Sequence, residues 1–154
     1  MAMADTQILG NPEMLVHLRA DITEAKLIYM YAFKVQEQFF SELFSGFIDQ
    51  NPLYVVANHS EERVLRSLSR EFPHLHAYKW AENRLFHSKI YLFPQKKIAY
   101  IGSHNLTKYA FTSGINHSVR IEGGYQVDKL IVEFVKRQKV ARELTGYSPS
   151  ELIA

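Results

Sequence analysis

Short apolar runs alternating with amphipathic stretches constrain this chain most. Lys26–Phe33 (KLIYMYAF) is dense in aliphatic and aromatic residues and reads as a buried strand. Gln36–Asp49 follows as a helix, with Phe39, Phe40, Leu43, Phe44, Phe47 and Ile48 on one stripe. Leu53–Ala57 (LYVVA) is the second strand. Ser60 then reads as the cap of a helix through Glu71, with Glu61 and Glu62 in the first turn, where the helix dipole favours them. His74–Tyr78 is a third strand. Leu85–Phe93 and Lys97–Gly102 form a pair turned at Pro94–Lys96, and a short helix follows Asn105. Asn116–Ile121 is another strand, and the last helix runs over Gln126–Thr145, closed by Gly146. Near the start, Asn11-Pro12 reads as the cap and first position of a helix through Ala20. Alternating β and α, then successive strands, then a closing helix predict an α/β fold. The expectation is an α+β mixed sheet sandwiched by helices, one domain over residues 1–154.

Composition excludes several classes. The chain has 154 residues and no cysteine, so neither a disulfide framework nor a thiolate metal site is available. No apolar run reaches membrane-spanning length. The stretch Met1–Gly10 is polar and lacks the layout of a signal peptide, so the expected location is the cytoplasm. A net charge of +2 and a pI near 8.8 permit nucleic-acid binding without requiring it.

The chemistry concentrates in two short motifs. His87-Ser88-Lys89 is followed, thirteen residues after Lys89, by Gly102-Ser103-His104-Asn105. Residues two apart on a strand share a face. His87 and Lys89 are therefore expected to project together, as are Ser103 and Asn105. Adjacent strands would bring an imidazole, an ammonium, a hydroxyl and an amide to one spot. That set suits an anionic phosphodiester, with one nucleophile and several donors for the non-bridging oxygens. No carboxylate pair, metal-ligand cluster or phosphate-cradling glycine loop accompanies it. Alone, a His-x-Lys on a strand is usually a solvated face and a Gly-Ser-x-Asn usually a turn or cap. The joint arrangement reverses that reading.

His87-x-Lys89 with Gly102-Ser103-x-Asn105 resembles the HxK…GSxN signature of the phospholipase D superfamily. The spacing, and the Asn105-Leu106-Thr107 that follows, resemble its metal-independent restriction-endonuclease branch most, with the small bacterial nuclease as the other comparison. The resemblance implies a phospholipase D-like fold, no metal and no cofactor. It also implies that His87 attacks phosphorus to form a phosphohistidine, that Lys89 and Asn105 hold equatorial oxygens, and that Ser103 donates a hydroxyl. Family members carry a glutamate after GSxN that orients the nucleophilic histidine. Ser118 stands at that position here, so Ser118 is expected to orient His87 with a single hydrogen bond and no charge. Glu122 shares its strand face but lies four residues on, roughly 13 Å away. His104 is read as a substrate-side or packing residue and His59 as a loop histidine lining the site. For His117 a structural or surface role is expected.

A second histidine must protonate the leaving oxygen. With one HxK in the chain, it is expected from a second copy, in a homodimer whose two His87 side chains meet at the two-fold axis. DNA is the expected partner, with RNA open and no membrane. The alternatives are a catalytically weakened nucleic-acid-binding dimer, supported only by Ser118, and a phospholipid phosphodiesterase. No recognition helix marks a sequence-reading element.

Overall fold

The computed structural model describes residues 4–80 and 86–144. The elements in chain order are β1 (Asp5–Leu9), α1 (Glu13–Glu24), β2 (Ile28–Ala32), α2 (Glu37–Ile48) and β3 (Leu53–Ala57). A 3₁₀ turn (His59–Glu61), α3 (Glu62–Glu71), β4 (Leu75–Lys79), β5 (Ile90–Phe93) and β6 (Ile98–Gly102) follow. The chain closes with α4 (Lys108–Thr112), β7 (Ser118–Glu122), α5 (Tyr125–Val140) and β8 (Arg142–Glu143). The strands form one sheet in the order β1-β7-β6-β5-β2-β3-β4-β8. Pairs β2·β3 and β3·β4 are parallel and all the others antiparallel. This is the mixed α/β sandwich that the order of apolar runs predicts.

Alternation along each strand separates two cores. On one face Leu53, Val55 and Ala57 of β3 pack with Met14 and Leu18 of α1, Phe40 and Phe44 of α2, Leu65 and Leu68 of α3, and Phe111 of α4. Successive right-handed crossovers advancing in one direction put α2 and α3 on that same face. On the other face Tyr31, Val56, Leu92 and Ala99 meet Val127 and Phe134 of α5.

Several boundaries differ from expectation. The polar segment Asp5–Leu9 forms an edge strand, in which only Leu9 is buried. Its ladder with β7 makes it a strand, not any apolar pattern of its own. The last helix stops at Val140 because its apolar stripe lapses after Phe134. Ala141 turns extended, and Leu144 leaves the helix to enter the core, its N–H donating to Ala77 O at 2.7 Å. Thr145 and Gly146 lie outside the described residues. Ser60 does not cap α3, since its hydroxyl accepts from Asn58 Nδ2 at 2.7 Å inside the 3₁₀ turn. Asn11 does not cap α1 either. Its amide reaches across to Ala110 O (2.9 Å) and Gly114 O (2.8 Å), tying α1 to the α4 region.

Candidate active site

Strand direction collects the chemistry at one edge of the sheet. The carboxyl ends of β2, β3, β4 and β6 and the amino ends of β5 and β7 all fall there, as the pairs Tyr31↔Ile90, Ile90↔Ile101 and Gly102↔Ser118 show. Ligands of open α/β sheets sit outside the carboxyl ends of the parallel strands. His87 and Lys89 were expected inside a strand over Leu85–Phe93. They lie instead in the segment that leads into β5 at Ile90, and Leu85 falls outside the described residues. Two bonds hold this segment. Phe86 N–H donates to the buried Asn58 Oδ1 at 3.0 Å, and Gly102 N–H reaches Lys89 O at 3.4 Å.

The HxK pair meets as its spacing predicts. Lys89 Nζ lies 3.0 Å from His87 Nδ1 and 3.0 Å from His87 O. The His87 ring is exposed, whereas Lys89 is only 8% exposed. That burial lowers the Lys89 pKa from its ordinary value. An ammonium only donates, so charged Lys89 makes His87 Nδ1 an acceptor and leaves the proton of the neutral ring on Nε2. Phe33, at the end of β2, packs its ring 4.3 Å from that of His87 and lies 5.2 Å from Lys89 Nζ.

The second motif forms the opposite wall. A Cβ on Gly102 would stand 2.3 Å from His117 O and 2.5 Å from Ser118 Cα, so only glycine lets β6 and β7 close here. Ser103 is exposed and donates to Asn116 Oδ1 at 2.8 Å, while its oxygen accepts from His117 N at 3.1 Å. Asn105 is half-buried, and its Oδ1 is buried without a hydrogen-bond partner among the described residues. It does not cap the helix that follows. Thr107 does, accepting from Ala110 N at 3.2 Å.

Of the two roles open for His104, the structure favours packing, and it moves Ser118 from its expected partner. His104 is 0% exposed, with Nδ1 2.7 Å from Ser118 Oγ and Nε2 2.7 Å from Asn11 Oδ1. Ser118 is 3% exposed, and its hydroxyl bonds His104, not His87. The proton positions follow. Because Asn11 Nδ2 donates to two carbonyls, its Oδ1 faces the imidazole and accepts from Nε2–H. His104 Nδ1 is then bare and accepts from the Ser118 hydroxyl. Burial, with a smaller contribution from His117, lowers the His104 pKa to about 4, so the ring stays neutral. His59 is exposed at the carboxyl end of β3, on the motif edge. His117 is exposed as well.

Phe33 and Asn58 are the site residues that pattern reading missed. Both follow directly on apolar strand runs, at the edge where such folds place their ligands, and that position was the available signal. Among the described residues no three His, Asp or Glu side chains converge to hold a metal ion. None of the described helices is long and apolar enough to cross a membrane.

The profile of the family described as cardiolipin synthase, PLD-like domain, matches residues 48–138, which contain both motifs and Ser118. The chain belongs to this family. A comparison with curated proteins finds no match. Among solved structures, this phospholipase D-like chain is similar to a phospholipase D family member, Nuc, from Salmonella typhimurium. The TM-score is 0.78 at 15% identity, covering 94% of this chain and 100% of that one. NucT from Helicobacter pylori aligns with a TM-score of 0.76 at 14% identity, covering 92% and 99%. The phosphatidylserine synthase of Haemophilus influenzae aligns with a TM-score of 0.74 at 11% identity, covering 94% of this chain but 40% of the synthase. At these identities the likeness establishes the fold.

Proposed function

We propose that this protein is a metal-independent nuclease that cleaves DNA through a phosphohistidine intermediate, at a site shared by two copies. The observation that carries the reading is the pair formed by His87 and Lys89, 3.0 Å apart, on the same open edge as Ser103 and Asn105. His87 Nε2 of one copy attacks phosphorus, and the P–N bond forms as the P–O bond to the leaving strand breaks. His87 Nε2–H of the other copy gives its proton to the leaving oxygen. Water then attacks the phosphohistidine, and the second imidazole, now bare, takes its proton. Lys89 and Asn105 hold non-bridging oxygens. Asn105 can do so through Nδ2, the donor end of its amide. Ser103 joins by turning its hydroxyl from Asn116.

Lys89 also governs where the protons sit. While its ammonium rests on His87 Nδ1, that nitrogen stays bare; when it turns to a phosphate oxygen, Nδ1 is free to carry a proton. The copy with Nε2 bare is then the nucleophile, and the copy protonated on both nitrogens is the acid, left as a neutral imidazole once its Nε2–H proton has gone to the leaving oxygen. Full-length coverage of the two small structures, against 40% of the synthase, favours a single-motif polymer cleaver over a lipid enzyme.

The test is plasmid nicking in excess EDTA. The expected result is nicking that survives chelation and is lost in His87→Ala. Nicking only with added magnesium overturns the mechanism. Turnover of a phospholipid in place of DNA overturns the substrate. One observation favours a second reading, a binding module: the serine at the family's glutamate position is engaged by His104, and no carboxylate among the described residues bonds His87. Salt-sensitive DNA binding with no nicking under any condition would establish that module instead.

A further inference from the structure

Beside His87, on the face of the sheet that carries α5, opens a groove of about 300 Å3. Tyr31, Trp80, Phe86 and Arg137 line it together with His87 and Ser88. The mechanism above uses none of the first four. Tyr31 is 3% exposed, yet its hydroxyl has no hydrogen-bond partner among the described residues. Burial raises its pKa, with Glu133 adding to the rise, so the group remains a neutral donor. The Tyr31 and Phe86 rings lie 5.4 Å apart and those of Trp80 and Phe86 5.7 Å apart. Arg137 Cζ sits 5.5 Å from the Trp80 ring centroid, and its Nε is 2.7 Å from Glu133 Oε1.

An aromatic wall with an unmet hydroxyl and a guanidinium over its tryptophan suits a flat, polar ring. Unpaired bases stack on aromatic rings and on arginine planes and are held by their edges. An acyl chain would leave the Tyr31 hydroxyl unmet and strip water from Glu133 and Arg137. We propose that this groove is a nucleobase subsite, which takes the base adjoining the phosphate that His87 attacks and bonds it through Tyr31 Oη. The inference rests on the nuclease reading and adds the half of the substrate that the catalytic motif does not touch.

Trp80 is the only tryptophan of the chain, so its fluorescence reports this groove alone. The full chain is titrated with deoxyadenosine 5′-monophosphate and with 2-deoxyribose 5-phosphate, neither of which has a phosphodiester to cleave. The nucleotide is expected to quench Trp80 saturably and to bind about tenfold tighter than the sugar phosphate. Tyr31→Phe is expected to weaken nucleotide binding about fivefold without changing the sugar phosphate. That variant removes only a hydroxyl that has no partner among the described residues, and its unfolding midpoint is measured alongside. A single-stranded oligonucleotide with one abasic position is expected to be cut about tenfold more slowly beside the gap. Equal cleavage beside the gap, with no nucleotide quenching, overturns the subsite and leaves the nuclease reading standing. Nucleotide quenching without cleavage of any strand keeps the subsite and overturns the nuclease reading. Quenching by phosphatidylglycerol vesicles but not by the nucleotide overturns the subsite in favour of a lipid.

Discussion

Gly102 has no side chain because the backbone of a neighbouring strand stands where one would be. The atoms in the way are His117 O and Ser118 Cα, which cannot swing aside as a flexible side-chain tip does. Gly102→Ala is therefore expected to push β6 from β7, costing about 2 kcal/mol in urea unfolding. By shifting Ser103 and Asn105 it should also lower kcat by a factor on the order of 10². His104 gives a prediction of opposite visibility, since it touches no substrate. Its pKa is lowered from 6.5 to about 4 in the folded protein, so below the ordinary value the unfolded chain binds a proton that the native chain refuses. Stability should then rise with pH between about 4 and 6.5. Unfolding at pH 5 should be about 2 kcal/mol easier than at pH 7.5, a difference that His104→Gln should largely remove. At this scale the motif residues were legible because their chemistry is unusual and their spacing places them together. The partnership of Ser118 with His104 was not. It depends on Asn11, more than ninety positions away from His104, fixing the direction of one amide.

Elements that bury an apolar stripe could be read from the chain, whereas those that exist through a partner could not. Helix α2 announces itself through Phe39, Phe40, Phe44 and Phe47, all buried. Strand β1 shows Asp5, Thr6 and Gln7 to solvent, and β8 shows both Arg142 and Glu143. Each is a strand because an open sheet edge supplies its hydrogen bonds. Polar cross-links are hidden for the same reason. Asp21 of α1 is buried, and both its oxygens meet Arg120 of β7, at 2.9 and 3.1 Å. It also accepts from Tyr100 of β6. Burial and the neighbouring Asp21 raise the Tyr100 pKa, so its proton stays on the phenol, while the Asp21 hydrogen bond raises that of Arg120. Removing one partner of a buried pair leaves the other charge uncompensated. Asp21→Ala is expected to destabilise the protein by about 3 kcal/mol in chemical unfolding, and to leave kcat unchanged in the folded fraction, because the cluster touches no motif residue.

The whole sheet is asymmetric, and that asymmetry bears on how many copies make a working site. Every motif residue lies at one edge, and the His87 ring is exposed there instead of being enclosed by its own chain. One chain also holds one HxK, whereas the proposed reaction needs a nucleophile and an acid. If two copies complete one site, a mixed dimer of intact and His87→Ala chains has one imidazole and no route through both steps. Unfolded and refolded together in equal amounts, the two chains pair at random, and about a quarter of the dimers hold two intact copies. Nicking should then fall to about a quarter of that given by intact chains alone at the same total concentration, and should follow the square of the intact fraction across a series of mixtures. A linear series would mean that each chain cuts by itself, and the acid would have to be sought among the same chain's exposed edge histidines, His59 and His117.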